Sequence, residues 1–113
     1  MGERLPTYEV FWPFYVSQHL DLSNRRLHFA GSTLVIASLV AGVLFSPIWL
    51  LGMPAAGYGF AWIGHFLFEK NKPATFTYPL WSLRADFRMY RLTLLGRMGP
   101  EIARANHLFP ARA

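Results

Sequence analysis

The chain has 113 residues, of which 53% are hydrophobic and only 15% charged, and it carries a net charge of +5. Soluble domains carry about 25% charged residues, so this composition argues against an ordinary water-soluble domain. The absence of cysteine excludes disulfides and thiolate metal sites. The basic residues flank apolar segments and match no nucleic-acid module, so their charge points to an anionic membrane surface and not to nucleic acid. The length suits one core, and residues 1–113 read as a single membrane-embedded helical domain of all-α class.

Met1 to Pro6 is a polar lead with no apolar h-region and cleavage site behind it, so no signal peptide is expected. Thr7 is placed to cap a helix, and Glu9 suits its first turn. The run YEVFWPFYVSQHL that follows predicts a short aromatic helix with a kink or late start at Pro13. Its aromatics suit either the headgroup layer or a buried core. Asp21, Ser23 and Asn24 mark a break, and Ser23 or Asn24 is expected to cap the next helix.

Between Arg26 and Glu69 there is no Asp, Glu, Lys or Arg. Phe29 to Leu51 would span about 34 Å as helix, against a hydrocarbon core of about 30 Å. Ser46-Pro47 is expected to end or bend that helix, and Pro54 fits the first turn of a second one. Gly31, Ala37, Ala41 and Gly42 on the first helix, and Gly57, Gly59 and Gly64 on the second, allow close packing. The two form an apolar hairpin. From Pro54 to Phe68 the rise is only about 22 Å. The second helix must therefore pass Glu69, begin before Pro54, or enter the membrane only partway.

EKNKPATFTYP is a polar loop. Leu80 to Met98 then predicts a C-terminal basic amphipathic helix carrying Arg84, Arg88 and Arg91, read either as lying at an anionic interface or as docked with a solvated basic face. Gly99-Pro100 is expected to break it before a short terminal helix or tail from Glu101 to Ala113. Arg25, Arg26, Lys70, Lys72 and the later arginines fall on one side of the hairpin, while its connection is uncharged. The positive-inside tendency puts both termini in the cytoplasm, which makes this an integral membrane protein.

Four ionisable residues lie at the hairpin's mouth. His65 and Glu69 are four apart on one helix, His28 opens the preceding helix, and His19 lies nine residues before His28 across the capped turn. An antiparallel hairpin would bring them together. Imidazole and carboxylate without thiolate suit non-haem Fe(II), and also Zn, Mn or Ni. The competing reading is a set of interfacial histidines and an ordinary i,i+4 pair. Ionisable groups in apolar spans are costly and usually functional, which favours the metal. His107 reads as a surface residue, Asp86 as an ion-pair partner of nearby arginines, and Tyr58, Trp62 and Phe66 as packing residues. Asn24 reads as a cap before a ligand.

The runs HLDLSNRRLHFAGS and GYGFAWIGHFLFEKNKPATFTYPLWSLRADFRMY resemble a small membrane family, once a domain of unknown function, whose characterised eukaryotic members are 2-hydroxy fatty acid dioxygenases of the endoplasmic reticulum. The resemblance covers roughly Phe14 to Tyr90, and this chain is a short member. It implies an Fe(II)- and O2-dependent enzyme of fatty acid α-oxidation that shortens a 2-hydroxy fatty acid by one carbon. It places the metal-binding and catalytic histidines at His19, His28 and His65, with Glu69 at the acidic position. On that reading Arg25 or Arg26 pairs the substrate carboxylate or anchors the chain, Asn24 joins the substrate-binding group, and the acyl chain lies in the bilayer. A homo-oligomer stays open. The alternative is a non-catalytic membrane protein that binds lipid or serves as a scaffold.

Overall fold

The structure is a computed structural model that describes residues 5–109; the start of the polar lead and the end of the C-terminal tail lie outside the described residues. The described residues form helices joined by short connections, without strands. The helices are α1 (Tyr8–Ser17), α2 (Leu22–Leu44), α3 (Gly52–Ile63), α4 (Pro79–Leu94) and α5 (Met98–Leu108). They fall into two compact units: residues 1–20 with 74–113, and residues 21–73.

The first unit is built on α1. Thr7 caps it as expected, its Oγ1 accepting the Val10 N–H at 3.2 Å. The helix starts at Tyr8 and holds Pro13 in its interior, so the late start at Pro13 does not occur. Phe11, Trp12, Tyr15 and Val16 are buried with Tyr78, Ala85 and Met89 from the start and body of α4 and Met98 and Ala105 from α5. Burial of each large aromatic removes roughly 150–250 Å² from solvent, so this cluster supplies the unit's main apolar stabilisation. Two of its polar edges are satisfied, Trp12 Nε1 donating to Glu101 Oε1 at 2.7 Å and Tyr78 Oη accepting the Leu5 N–H at 2.9 Å, whereas the buried Tyr8 and Ser82 hydroxyls make no hydrogen bond. The break between α4 and α5 falls earlier than Gly99-Pro100. Gly96 adopts a positive φ of 68° there, and Pro100 sits in the first turn of α5, where its missing N–H costs nothing.

In the second unit, Asp21 caps α2, its carboxylate accepting the Asn24 N–H at 3.2 Å. This corrects the expectation of Ser23 or Asn24: the Asp21 side chain reaches forward three residues, and both candidates become helical. The helix therefore starts seven residues before Phe29 and ends at Leu44, short of Leu51. It is long and apolar enough to cross a membrane. Ser46 caps a 3-10 turn, Pro47–Leu51, and α3 begins at Gly52, before Pro54. A π-helical turn, Gly64–Glu69, continues α3 without a break, giving about 27 Å from Gly52 to Glu69 at helical rise.

Small residues set how closely α2 and α3 approach. A Cβ on Gly31 would stand 2.9 Å from the Phe60 Cβ and 3.0 Å from the Ala56 carbonyl, and one on Gly57 would meet Val35 at 3.3 Å. Elsewhere the two helices turn large apolar side chains outward; Val43 is 73% and Leu67 65% exposed. Tyr58, Trp62 and Phe66 are also outward, and Tyr58 and Trp62 contact each other. Soluble monomers rarely leave so many large apolar side chains outward along two helices, and such surfaces mark contact with a partner or a membrane.

Gly31→Ala forces Phe60 or the α3 backbone to move, and should destabilise the protein by about 1–3 kcal/mol, read as a lower thermal midpoint in detergent. In the first unit, burial first and the neighbouring Asp86 second hold the Tyr15 hydroxyl well above its ordinary value of 10.0. Because the folded-state value is raised, the stability from the protonated phenol is fully present below about pH 10 and is lost as pH rises beyond it. Spectrophotometric alkaline titration should show Tyr15 ionising only with unfolding.

Candidate metal centre

Among the described residues three histidines are buried, His19, His28 and His65, and His107 is exposed on α5. An imidazole can ligate a metal through either ring nitrogen that carries a lone pair.

In the first unit, His19 follows the last turn of α1, with its N–H on the Val16 carbonyl at 2.9 Å. Its ring stacks on Tyr15 at 4.1 Å between centroids and 27° between planes. Its Nδ1 lies 2.6 Å from the Tyr15 carbonyl, an acceptor, so Nδ1 carries the proton and Nε2 keeps the lone pair. The Tyr15 hydroxyl in turn donates to Asp86 on α4. Asp86 therefore fixes the ring that supports His19, beyond the ion-pair role its arginine neighbours foreshadow.

In the second unit, His28 and His65 meet. Their ring centroids are 5.0 Å apart and the planes stand at 88°. His28 lies one turn after Asn24 on the buried face of α2. His65 lies in the π-helical turn, a wide form of helix that recurs at functional sites. That turn is closed by Lys70, at φ 59°, and by the Asn71 N–H on the His65 carbonyl at 3.0 Å. The same reversal brings the Asn71 side chain back to His65, with Oδ1 2.6 Å from Nδ1. With the amide oxygen as acceptor, His65 is protonated at Nδ1 and again offers Nε2.

Two buried imidazoles this close can both donate lone pairs to one cation. An imidazole donor set without thiolate fits iron, zinc, copper or nickel. His28 and His65 of the second unit could thus bind a metal ion, and His19 of the first unit is a third buried imidazole.

The remaining expected residues sort differently. Glu69 accepts the Asp21 N–H through Oε1, so its carboxylate is engaged at the start of α2. Asn24 is fully buried beneath Gly64; a Cβ on Gly64 would come 1.9 Å from its Oδ1. Neither of its amide atoms makes a hydrogen bond of good geometry. Arg25 is half-buried within reach of the Glu69 and Asp21 charges, and Arg26 is exposed. Asn71, which orients His65 from six positions on, carries no signal at the spacing of an α-helix, whereas Tyr15 stands four before His19, a helical spacing. The only hint for Asn71 is a polar residue just beyond a helix end, where chain reversal is common.

The family model described as 2-hydroxy-palmitic acid dioxygenase Mpo1-like matches residues 5–98. No curated protein and no solved structure matches the chain.

Asn71→Ala removes the support of His65 and should weaken metal binding about 10–100-fold, measured by competition with a chromophoric chelator. Gly64→Ala should abolish stoichiometric metal by driving its Cβ into Asn24. The double substitution Asn24→Ala with Gly64→Ala should recover the fold, seen by near-ultraviolet circular dichroism.

Proposed function

The chain belongs to the 2-hydroxy-palmitic acid dioxygenase Mpo1-like family, and on that premise we propose that it is an Fe(II)-dependent dioxygenase of fatty acid α-oxidation. It would convert a 2-hydroxy fatty acid to the acid one carbon shorter. The observation that carries this reading is the buried edge-to-face pair of His28 and His65 beside an otherwise apolar pair of helices. Paired neutral imidazoles in such surroundings have little structural purpose and a clear ligating one.

In this reading His19, His28 and His65 would hold the iron. His19 lies two residues before Asp21, whose N–H is engaged by Glu69. Glu69 is either a fourth ligand or the clasp of α2. Bound iron would supply O2 activation and a Lewis acid for the hydroxy acid's oxygens. The protein's own residues do the rest. Tyr15 and Asn71 hold the His19 and His65 rings in the tautomer that ligates. Arg25, or the exposed Arg26, would pair the substrate carboxylate, and the buried Asn24 amide, whose atoms lack a hydrogen-bond partner, would join in binding it. The outward apolar side chains of α2 and α3 leave the acyl chain in the bilayer. The hairpin of α2 and α3 sits in the membrane with both termini cytoplasmic, in keeping with the uncharged connection at residues 45–52.

Protein purified in detergent should contain stoichiometric iron and, with Fe(II), O2 and a long-chain 2-hydroxy acid, yield the acid one carbon shorter by mass spectrometry. His28→Ala and His65→Ala should each reduce iron and product to background. Folded wild-type protein that takes up no metal would defeat the enzymatic reading and leave a lipid-binding or scaffold protein.

A further inference from the structure

The helix α4 carries two adjacent rows on its outer side. Leu80, Leu83, Phe87 and Leu94, at intervals of three, four and seven, form an apolar row and are 80%, 55%, 40% and 62% exposed. At helical spacing they share one stripe. Arg84, Arg88 and Arg91, at intervals of four and three, form a basic row beside it. The opposite side of the helix is the packed one, with Ser82, Ala85 and Met89 buried.

The basic row is held in place. The Arg84 guanidinium lies 3.9 Å from the centroid of the Tyr8 ring, and Arg88 lies 4.2 Å from that of Trp12. Stacking on the two rings fixes these cations along the edge of the apolar stripe and lowers the entropy lost when they meet an anion. Arg91 continues the row and is exposed.

We propose that this face of α4 lies flat in the surface of an anionic membrane, with the leucine and phenylalanine row in the acyl boundary and the arginine row at the phosphates. Charge decides the occupant. A second copy packed face to face would set one basic row against another, whereas anionic headgroups neutralise it. A chain that also carries α2, apolar and long enough to cross a membrane, has such a surface within reach. The proposal rests on membrane insertion of α2 and is independent of the metal.

The chain has no cysteine, so single labels are clean. Leu83→Cys and, as a control in α2, Val43→Cys are spin-labelled on the full chain. Each is reconstituted in vesicles of phosphatidylcholine alone and of phosphatidylcholine with equimolar phosphatidylglycerol. The Leu83 label should be more accessible to oxygen than to a water-soluble nickel chelate, at a depth of about 5–10 Å. The ratio of membrane-bound to aqueous label should rise with phosphatidylglycerol. Arg84→Gln and Arg91→Gln should each lower that ratio about fivefold. A Leu83 label in water while the Val43 label is in lipid overturns the proposal and leaves α2 embedded. Both labels in water overturn it together with membrane insertion. A Leu83 label shielded from both reagents, with spin–spin broadening between copies, assigns the face to a second chain and also overturns it. Insertion that ignores phosphatidylglycerol removes the role given to the arginines.

Discussion

The close approach of α2 to the end of α3 is the constraint on which the site depends. Asn24 and Gly64 meet where any side chain on Gly64 would collide with the Asn24 amide. One residue beyond Gly64 is His65, and one turn beyond Asn24 is His28. The distance between the two imidazoles is therefore inherited from a contact between a glycine and an asparagine. Small residues further along the helices, Gly31 against Phe60 and Gly57 against Val35, hold the same spacing over several turns. Packing of this kind works without a hydrophobic driving force between helices, as an apolar environment requires.

The π-helical turn is the second device. Had α3 continued as regular α-helix, Glu69 would share a face with His65. The wider turn ends instead in Lys70 at positive φ and a chain reversal. Glu69 then serves the α2 terminus, and Asn71 takes over the support of His65. A residue placed beside a histidine by α-helical counting is thus replaced there by one six positions on. In the first unit, the Asp86–Tyr15–His19 series does for His19 what Asn71 does for His65. In both cases a neighbour holds Nδ1, which is how proteins commonly fix a ligating histidine.

The chain places its polarity economically. With so few charged side chains, those at the helix ends act on backbone groups as well as on each other. Asp21 caps α2, Glu69 takes the Asp21 N–H, and Glu101 takes the Trp12 indole. The arginines of α4 rest on aromatic faces, so their stems and planes are buried against rings while their charge stays outward. Apolar side chains are left at the surface along α2 and α3 because the core that buries apolar groups in water lies elsewhere, around α1.

Several features were legible in the residues alone. The helical class, the apolar α2, the Thr7 cap and the family all follow from local pattern, because periodicity, caps and motif runs are properties of neighbouring residues. The choice of His19, His28 and His65 also came from sequence, since ionisable groups stand out in apolar surroundings. What these could not decide is anything that depends on long-range contact. Asp21 wins the cap over Ser23 and Asn24 because Glu69, forty-eight residues away, holds its N–H. Gly96, and not Gly99, ends the α4 segment because Met98 is buried with α1 residues in the core. The edge-to-face meeting of His28 and His65 exists only once α2 packs on α3, and the hold of Asp86 on Tyr15 only once α1 packs on α4. Spacing along a chain names the donors; only packing sets their distance and their protons.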